Sequence, residues 1–285
     1  MEIPGKKIAS YFEKVLKKEI RRSKKKLKLC TFLVSNAPDQ LSFVKIKRRV
    51  AHQLGIGFDL IHLKEIPSFE EFMHKIKEKS LDPAVTGIII QQPLPAQIST
   101  SSIYDYIPEK KEIEGHKNKS PFTPPIGLAT LTVFKYAFDK NKISDDLFVD
   151  PKKDRLIFKR AFRNKRIILL GRGITGGQPI GKTLRDYKIN YIGLNSQTPD
   201  QQTYLKEADV IITAVGRKII HAADLTPGVT LVNVGLRREH GRLKGDYDEN
   251  EIKDIASAYT PTPGGIGPLD IFYLFKNLLD ASKLH

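Results

Sequence analysis

Short apolar segments alternate with helical patterns along the first half of the chain. The segments LCTFLV, FDLIHL and TGIIIQ have the length and composition of β-strands. Between them, a segment from about Ser42 and the segment PSFEEFMHKIKEKS repeat apolar residues every three or four positions, which indicates amphipathic helices. Strands separated by helices of this length favour a parallel sheet with right-handed crossovers.

The same alternation recurs after a proline-rich passage, PFTPPIG, and a predicted helix, ATLTVFKYAF. Four more strands are predicted in RIILLG, INYIGL, DVIITAV and TLVNVG, and the chain closes with the helical pattern DIFYLFKNLLDASK. The predicted fold class is α/β with two domains. We expect the first domain at 1–122, completed by the C-terminal helix in 266–285, and the second at 123–265. The charged stretch 138–164 is long for a plain loop and suits a hairpin or a helix.

The N-terminal segment is predicted to be an amphipathic helix. Ile8, Phe12, either Val15 or Leu16, and Ile20 follow helical spacing with charges between them. The segment has no continuous apolar core like that of a signal peptide, and no apolar run approaches the roughly 18 residues that a membrane span requires. We therefore expect a cytoplasmic protein with no membrane partner. The single cysteine, Cys30, is predicted to be a buried thiol, since it lies in an apolar strand.

The formal net charge of +16 is concentrated in KKEIRRSKKKLK at 17–28. Clustered cations neutralise phosphates and are typical of nucleic-acid binding, but no aromatic residues are interleaved and no zinc-ligand spacing accompanies them. The same charge also suits a solvated helix end, whose dipole favours cations, or the long-range attraction of an anionic small substrate. Nucleic acid is the least favoured of these three roles, and no metal site is predicted.

Gly171, Gly173 and Gly176 form G-x-G-x-x-G between the predicted strand RIILL and the helical pattern QPIGKTLRDY. In this context, glycines allow a tight turn, and backbone N–H groups and the positive helix end approach a pyrophosphate. The motif predicts a Rossmann-type dinucleotide site. An ordinary glycine-rich turn is the alternative.

The end of the second strand favours NADP, although NAD is possible. An NAD site usually places an acidic residue there to bind the ribose hydroxyls, whereas this chain has none before Asp200. Arg172 is suited to pairing with a 2′-phosphate, and Ser196 and Thr198 to donating hydrogen bonds to it. The predicted cofactor-binding residues are Gly171, Arg172, Gly173, Gly176, Ser196, Gln197 and Leu236.

Lys47 lies on a helix that is expected to be half-buried. The stripe Phe43, Ile46, Val50 and Leu54 is the predicted buried face, and Lys47 shares one edge of it because it lies four residues after Phe43. A lysine at an edge can extend its ammonium group to water. If it faces a cleft instead, partial burial disfavours its charged form and makes it a usable base or proton shuttle.

Polar residues follow the strand GIII. Gln91 and Gln92 come at its carboxyl end, where parallel α/β sheets bind ligands, and Pro93-Leu94-Pro95 forms a stiff wall. A glutamine there can bind a neutral heterocycle or a lysine. The alternative is a strand end without a binding role.

Glu112 and Glu114 are expected on one side of an extended segment. They are candidates for binding a ligand, and the alternative is that they pair with nearby lysines.

Six segments, in this order, resemble motifs of the bifunctional methylenetetrahydrofolate dehydrogenase/methenyltetrahydrofolate cyclohydrolase family. SFVKIK is similar to the family's Tyr-Val-x-x-Lys helix, GIIIQQPLP to its Gln-Leu-Pro-Leu-Pro strand end, and EIEG to its Asp-Val-Asp-Gly. PFTP resembles Pro-Cys-Thr-Pro, GRGITGGQP the Gly-Arg-Ser loop, and YTPTPGGIGP the Thr-Pro-Val-Pro-Gly-Gly-Val-Gly-Pro segment. The resemblance covers nearly the whole chain except 138–164.

The resemblance implies a folate-binding cleft between the two domains, NADP on the second domain and a homodimer built through that domain. In this family 5,10-methylenetetrahydrofolate gives a hydride to the nicotinamide, and water converts the 5,10-methenyl product to 10-formyltetrahydrofolate. Lys47 matches the lysine that handles protons in hydrolysis, Gln91 the glutamine that tunes it, and Glu114 an aspartate that holds the pterin. The matching substrate-binding positions are Phe43, Gln91, Pro93, Leu94, Gly264, Gly265 and Pro268.

Several positions depart from the family pattern. A tyrosine is replaced by Phe43, two aspartates by Glu112 and Glu114, a serine by Gly173, and a histidine and an arginine by Asn195 and Gln197. The changes at Phe43, Glu112 and Glu114 bear on hydrolysis. The changes at Gly173, Asn195 and Gln197 bear on the choice between NADP and NAD. A monofunctional dehydrogenase is therefore an alternative. A two-domain NADP dehydrogenase of the shikimate dehydrogenase type and a basic nucleic-acid-binding protein are less favoured.

Overall fold

The structure, a computed structural model, describes residues 1–34, 36–138 and 142–284. It divides into two compact units. The Lys47 unit comprises the described residues of Glu13–Pro125 and Ile271–His285, and the Gly-loop unit those of Met1–Phe12 and Ile126–Asp270. The predicted domain boundary at residues 122 and 123 remains a prediction.

The Lys47 unit is built on a three-stranded parallel sheet in the order β2-β1-β3, as the alternating pattern predicts. Its strands are β1 Lys28–Leu33, β2 Gly57–His62 and β3 Gly87–Ile90. Its crossover helices are α2 Pro38–Leu54 and α3 Phe69–Leu81. Helix α3 begins where Ser68 Oγ accepts the Glu71 N–H and the Glu71 carboxylate accepts the Ser68 N–H, a capping box that satisfies two free backbone donors.

The core of the Lys47 unit lies between β1, β3 and α3, where the ring of Phe32 meets that of Phe72 edge-on at 5.8 Å. Cys30 belongs to this core, as predicted, and burial raises the pKa of its thiol to about 12. The C-terminal helix, α9 Ile266–Ala281, contributes Asn277, whose Nδ2 donates to the carbonyl oxygens of Ile113 and Thr123. The segment around Ile113 is thereby fixed from behind.

The buried face of α2 differs from the predicted one. The buried residues are Gln40, Val44, Val50, Ala51 and Leu54. Phe43 is 39% exposed, so its assignment to the buried face was wrong. The helix begins at Pro38, four residues before the predicted start, and its apolar stripe is centred on the Val44 and Ala51 side of the helix. Lys47, spaced three residues from Val44 and four from Ala51, therefore lies within the buried stripe and not at its edge.

The Gly-loop unit contains a five-stranded parallel sheet in the order β10-β7-β6-β4-β5. Its strands are β4 Ile167–Leu170, β5 Ile192–Leu194, β6 Val210–Thr213, β7 Thr230–Asn233 and β10 Ala258–Tyr259, and a hairpin is formed by β8 Arg237–Glu239 and β9 Arg242–Lys244. Its helices are α4 Pro125–Phe138, α5 Pro151–Ala161, α6 Gly177–Asp186, α7 Gln201–Lys206 and α8 Glu249–Ile252. Strands β4 to β7 were predicted, whereas β10 and the hairpin were not.

Helix α1 spans Gly5–Ser23 and buries Ile8, Phe12, Leu16 and Ile20, which confirms the predicted amphipathic helix. No helix within the described residues is long and apolar enough to cross a bilayer.

The charged stretch 138–164 contains helix α5, one of the two structures that suited it, and its residues 139–141 lie outside the described residues. Three contacts anchor it within the Gly-loop unit. The ring of Phe148 stacks on Phe12 with centroids 3.8 Å apart, Tyr11 donates a 2.6 Å hydrogen bond to Asp145, and Lys135 pairs with Asp154 at 2.8 Å. The stretch is therefore a packed part of the unit.

Removing the buried carboxylate of Asp154 should destabilise the protein. Asp154 is only 6% exposed and also accepts the N–H of Asp150, so Asp154→Ala leaves Lys135 desolvated without its counter-ion. We expect the free energy of unfolding to fall by about 3 kcal/mol. Asp280→Ala, which removes exposed pairs on α9, should cost about 1 kcal/mol or less. Urea denaturation of both variants measures the difference, and equal losses would contradict the prediction.

Candidate active site

The ammonium group of Lys47 is held by a strand-end amide. Its Nζ donates to Oε1 of Gln91 over 3.0 Å. Gln91 directly follows β3, and its backbone N–H donates to the carbonyl of Phe32, which continues the ladder with β1. Its Nε2 donates to the carbonyl of Gln92 at 2.9 Å, so the amide can present only its oxygen to Lys47. The structure thus brings together two predicted catalytic residues, and Lys47 does not simply extend to water.

The loop after Gln91 is fixed on both sides. Gln92 donates from Nε2 to the hydroxyl of Tyr104 at 2.8 Å, and its Oε1 accepts the N–H of Leu94 at 3.0 Å. On the other side Gln40 donates from Nε2 to the carbonyl of Pro93 at 2.9 Å. The Pro93 ring is exposed, whereas Leu94 is buried in the core, so Leu94 supports this wall from behind. Gln40 and Tyr104 were missed by sequence reasoning, because neither lies in a recognisable motif.

Glu112 and Glu114 have different environments, and the segment that carries them is a turn and not the extended segment expected from the sequence. Glu112 is 1% exposed, and its carboxylate accepts the N–H groups of Glu114 at 3.0 Å and Lys117 at 3.4 Å. Burial raises its pKa, although those hydrogen bonds and the nearby His116 oppose the shift. Glu112 therefore shapes the turn, which leaves Glu114 as the group available to a ligand.

The carboxylate of Glu114 is held in its ionised form. Burial alone would raise its pKa, but the contact with His116, the positive charge of Lys47 and the backbone N–H of Ile90 outweigh burial. The pKa of Glu114 is therefore below its ordinary value. His116 Nε2 lies 3.7 Å from Glu114 Oε2, a contact that the sequence did not predict.

In the Gly-loop unit, the glycine motif is a βα turn between β4 and α6. Gly171 has φ of +110°, and a Cβ there would overlap the carbonyl oxygen of Ala214. A Cβ at Gly177 would overlap the carbonyl oxygen of Gly171, whereas a Cβ at Gly173 would meet no atom within 4 Å. Gly177 is thus the glycine that lets the first turn of α6 approach the backbone at Gly171, and it lies outside the predicted G-x-G-x-x-G motif. Gly176 precedes the first residue of α6.

This turn forms a cradle that suits a pyrophosphate, because backbone without side chains faces a helix N-terminus. Strands β4 and β5 pair in register, so their carboxyl ends bring the exposed residues Arg172, Ser196 and Gln197 to one edge of the sheet. Thr198 is engaged locally, since its hydroxyl accepts the N–H of Asn195 at 3.0 Å. Leu236, which follows β7, is 41% exposed at the same edge of the sheet.

A buried polar network at the ends of β6 and β7 was not predicted. Asp246 is fully buried and accepts the N–H groups of Val215 and Gly216, each at 2.9 Å. Asn233 accepts hydrogen bonds from the Thr213 hydroxyl and the Asp246 N–H. These bonds fix the loop that follows β6. Asn233 was detectable as a polar residue at a strand end, whereas Asp246 lies in a segment without periodicity.

The remaining predicted substrate-binding residues also lie in the Gly-loop unit. Gly264 has φ of +117°, which favours glycine, and a Cβ at Gly265 would lie 2.8 Å from the Pro261 carbonyl oxygen. Pro268 occupies the first turn of α9, where proline is tolerated. Their role in binding substrate stays a prediction. In the part of the chain that the structure describes, no group of three or more His, Cys, Asp or Glu is placed to hold a metal ion.

Known protein families match both units of this chain. The family model for the catalytic domain of tetrahydrofolate dehydrogenase/cyclohydrolase matches residues 3–114, and the model for the NAD(P)-binding domain of the same family matches residues 157–285. The bifunctional protein FolD of Staphylococcus carnosus (strain TM300) is 31% identical over 296 residues, which cover 99% of this chain and 96% of that protein.

Two solved structures share the fold. The bifunctional enzyme FolD from Campylobacter jejuni has a TM-score of 0.85 at 24% identity, covering 100% of this chain and 99% of that one. A 5,10-methylenetetrahydrofolate dehydrogenase from the silkworm Bombyx mori has a TM-score of 0.83 at 25% identity, covering 99% and 98%. The predicted two-domain α/β fold is confirmed. Because two domain models and a relative of nearly equal length agree, the chain belongs to the tetrahydrofolate dehydrogenase/cyclohydrolase family.

Proposed function

We propose that the protein oxidises 5,10-methylenetetrahydrofolate to 5,10-methenyltetrahydrofolate with NADP and hydrolyses this product to 10-formyltetrahydrofolate. The observation that carries the proposal is the 3.0 Å contact between Lys47 Nζ and Gln91 Oε1 at the end of β3, in a chain of this family. Hydrolysis of an iminium carbon needs a group that accepts a proton from water, and a lysine held by an amide can act as that group.

Substrate binding falls to groups that exchange no proton. The exposed ring of Phe43 is suited to stacking on the pterin, since an aromatic face binds another ring without a hydroxyl. The ionised carboxylate of Glu114 is suited to accepting N–H groups of the pterin, because charged acceptors make the stronger hydrogen bonds. These two contacts orient the carbon that joins N5 and N10, and orientation is most of what hydride transfer requires.

In the hydrolytic step, water adds to the carbon between N5 and N10 and loses a proton. Lys47 Nζ accepts that proton in its uncharged form, while Gln91 Oε1 holds the nitrogen in place. The bond from this carbon to N5 then breaks, N5 takes the proton that the hydroxyl loses as it becomes the formyl carbonyl, and the formyl group remains on N10. Lys47 passes the proton that it accepted from water to the solvent. One proton is released overall. Acid–base assistance of this kind contributes typically about 10²–10⁴ in rate.

The Gly-loop unit supplies the cofactor site. We assign Gly171, Gly173 and Gly176, with Gly177, to the cradle for the pyrophosphate, and Arg172 and Ser196 to recognition of the 2′-phosphate, since both are exposed at the carboxyl ends of β4 and β5. Gln197 and Leu236 complete the exposed edge. These residues would hold NADP, which would supply the acceptor for the hydride of the methylene carbon. Between the end of β5 and Asp200 the sequence has no acidic residue to bind the ribose hydroxyls of NAD, which supports NADP over NAD.

The assembly and the domain limits belong to the same proposal. We place the folate domain at 1–122 with 266–285 and the cofactor domain at 123–265. A homodimer through the cofactor domain is supported by strand β5, which lies at the edge of its sheet with Ile192 37% exposed. A cytoplasmic location fits the substrate and cofactor.

The proposed activity is tested with the purified protein and 5,10-methylenetetrahydrofolate, run separately with NADP and NAD. We expect reduced nicotinamide and methenyl product to appear together with NADP, and added methenyltetrahydrofolate to decay faster than without protein. Absorbance spectroscopy follows both species. Reduction without accelerated decay would show the monofunctional dehydrogenase, and a folded protein with neither activity would refute the proposal.

Replacing Lys47 should separate the two reactions. Lys47→Ala is expected to lower hydrolysis by roughly 10²–10⁴ while part of the hydride transfer remains, because only hydrolysis uses the amine. Lys45→Ala is the matched control, since Lys45 is exposed on the same helix and should leave both rates unchanged. Unchanged hydrolysis in Lys47→Ala would remove this residue from its role.

Two glycine substitutions test the cradle. In Gly177→Ala the new Cβ overlaps the Gly171 carbonyl oxygen, so the turn must shift and NADP affinity should fall at least about tenfold. Gly57→Ala is the control, since Gly57 lies in the Lys47 unit and a Cβ there comes no closer than 3.4 Å to any atom, so NADP binding should stay unchanged. Calorimetric titration with NADP measures both, and circular dichroism controls for folding. Equal NADP affinity in Gly177→Ala and Gly57→Ala would contradict the assignment of Gly177 to the cradle.

A further inference from the structure

His116 lies between the proposed substrate-binding carboxylate and an aromatic ring. Its Nε2 is 3.7 Å from Oε2 of Glu114, and its ring stacks on Tyr104 with centroids 4.2 Å apart and planes inclined by 23°. The His116 side chain is only 15% exposed. It lies two residues beyond the part of the chain that the catalytic-domain family model matches.

The turn that carries His116 is fixed on every side. Glu112 accepts the N–H groups of Glu114 and Lys117, which flank His116 in the chain. Gly115 has φ of +75°, and a Cβ there would lie 2.7 Å from the Phe122 carbonyl oxygen. Asn277 holds the Ile113 carbonyl from behind. The backbone therefore places Glu114 and His116 next to each other irrespective of any ligand.

The face of the His116 ring that stacks on Tyr104 is linked through that tyrosine to the lysine site. The Tyr104 hydroxyl accepts the hydrogen bond from Gln92 Nε2, and the Gln92 carbonyl accepts that from Gln91 Nε2. Gln91 in turn accepts from Lys47. One continuous set of contacts thus runs from the lysine through two glutamines and a tyrosine to His116 and Glu114, so the ring cannot move without disturbing its neighbours.

A glutamate needs such a neighbour more than an aspartate does. Its side chain has one more rotatable bond, so a single backbone position leaves its carboxylate free to adopt several orientations. The charged groups around Glu114 are His116, Lys47 and Glu112. Glu112 repels it, and Lys47 is engaged with Gln91. The backbone N–H of Ile90 and the His116 contact with Oε2 hold the carboxylate at two points, and His116 is the side chain of the two.

We propose that His116 is a positioning residue of the folate site, which fixes the carboxylate of Glu114 for binding the pterin and does not itself touch the substrate. The proposal rests on the proposed function for the identity of the ligand. The contact between the two side chains is a property of the free protein, and it is tested without substrate.

Two substitutions separate the two contacts of His116. His116→Phe keeps a ring to stack on Tyr104 and removes the donor, whereas His116→Gln keeps a donor of similar reach and removes the ring. For methylenetetrahydrofolate we expect KM to rise roughly tenfold in His116→Phe with kcat for hydride transfer within about twofold. His116→Gln should keep KM within about threefold. His74→Gln, exposed on α3, is the control. A wild-type KM in His116→Phe would overturn the proposal.

Carbon-13 NMR of glutamate carboxylates gives the substrate-free measurement, with Glu114→Gln used to assign the signal. The pKa of Glu114 should rise in His116→Phe, because the contact that most strongly lowers it is lost. An unchanged Glu114 titration would overturn the proposal even if turnover is altered. If the unaltered protein fails to turn over folate, the proposed function fails, and the titration still decides whether His116 holds Glu114.

Discussion

A cation within the buried stripe of a helix is the constraint from which the active-site geometry of the Lys47 unit follows. Lys47 lies among Val44, Val50 and Ala51, where an ammonium group without a partner would be costly. The nearest strand end meets this need with Gln91, whose amide is oriented by its second bond to Gln92. An apolar residue at position 91 would leave the lysine without an acceptor.

Both units collect their functional residues at the carboxyl ends of parallel strands. Gln91 follows β3, the glycine turn follows β4, and the loop fixed by Asp246 follows β6. The common cause is geometric: in parallel sheets all strands end at one edge, and the backbone donors and acceptors freed there must be met by side chains or ligands. In the Lys47 unit Gln40 and Gln92 bind backbone groups of the loop after β3, and in the Gly-loop unit Asp246 does the same for the loop after β6.

The periodic features of this molecule could be predicted from its sequence, and the contacts between distant segments could not. Apolar runs located β1 to β7, most clearly at β3, β4, β6 and β7, because burial on both faces of a parallel strand produces continuous apolar runs. The apolar pattern misplaced Phe43, since the buried face of α2 lies on the Val44 and Ala51 side of the helix. The sequence also did not show that Glu112 is buried while Glu114 is available to a ligand. That difference depends on a turn that Gly115 permits and that the distant residue Asn277 holds through the Ile113 carbonyl.

The two proposed reactions have different requirements at one site, and different residues of the site meet each of them. Hydride transfer needs a rigid substrate and no proton exchange, which suits the Phe43 ring and an ionised Glu114. Hydrolysis needs a group that changes its protonation at each turnover, which suits Lys47. The two are linked through amides and an uncharged phenol, and since burial raises the pKa of Tyr104 further, none of these linking groups exchanges protons near neutral pH. The proton that the lysine exchanges therefore does not pass along these groups to Glu114, and the charge of Lys47 reaches that carboxylate as an electrostatic influence on its pKa.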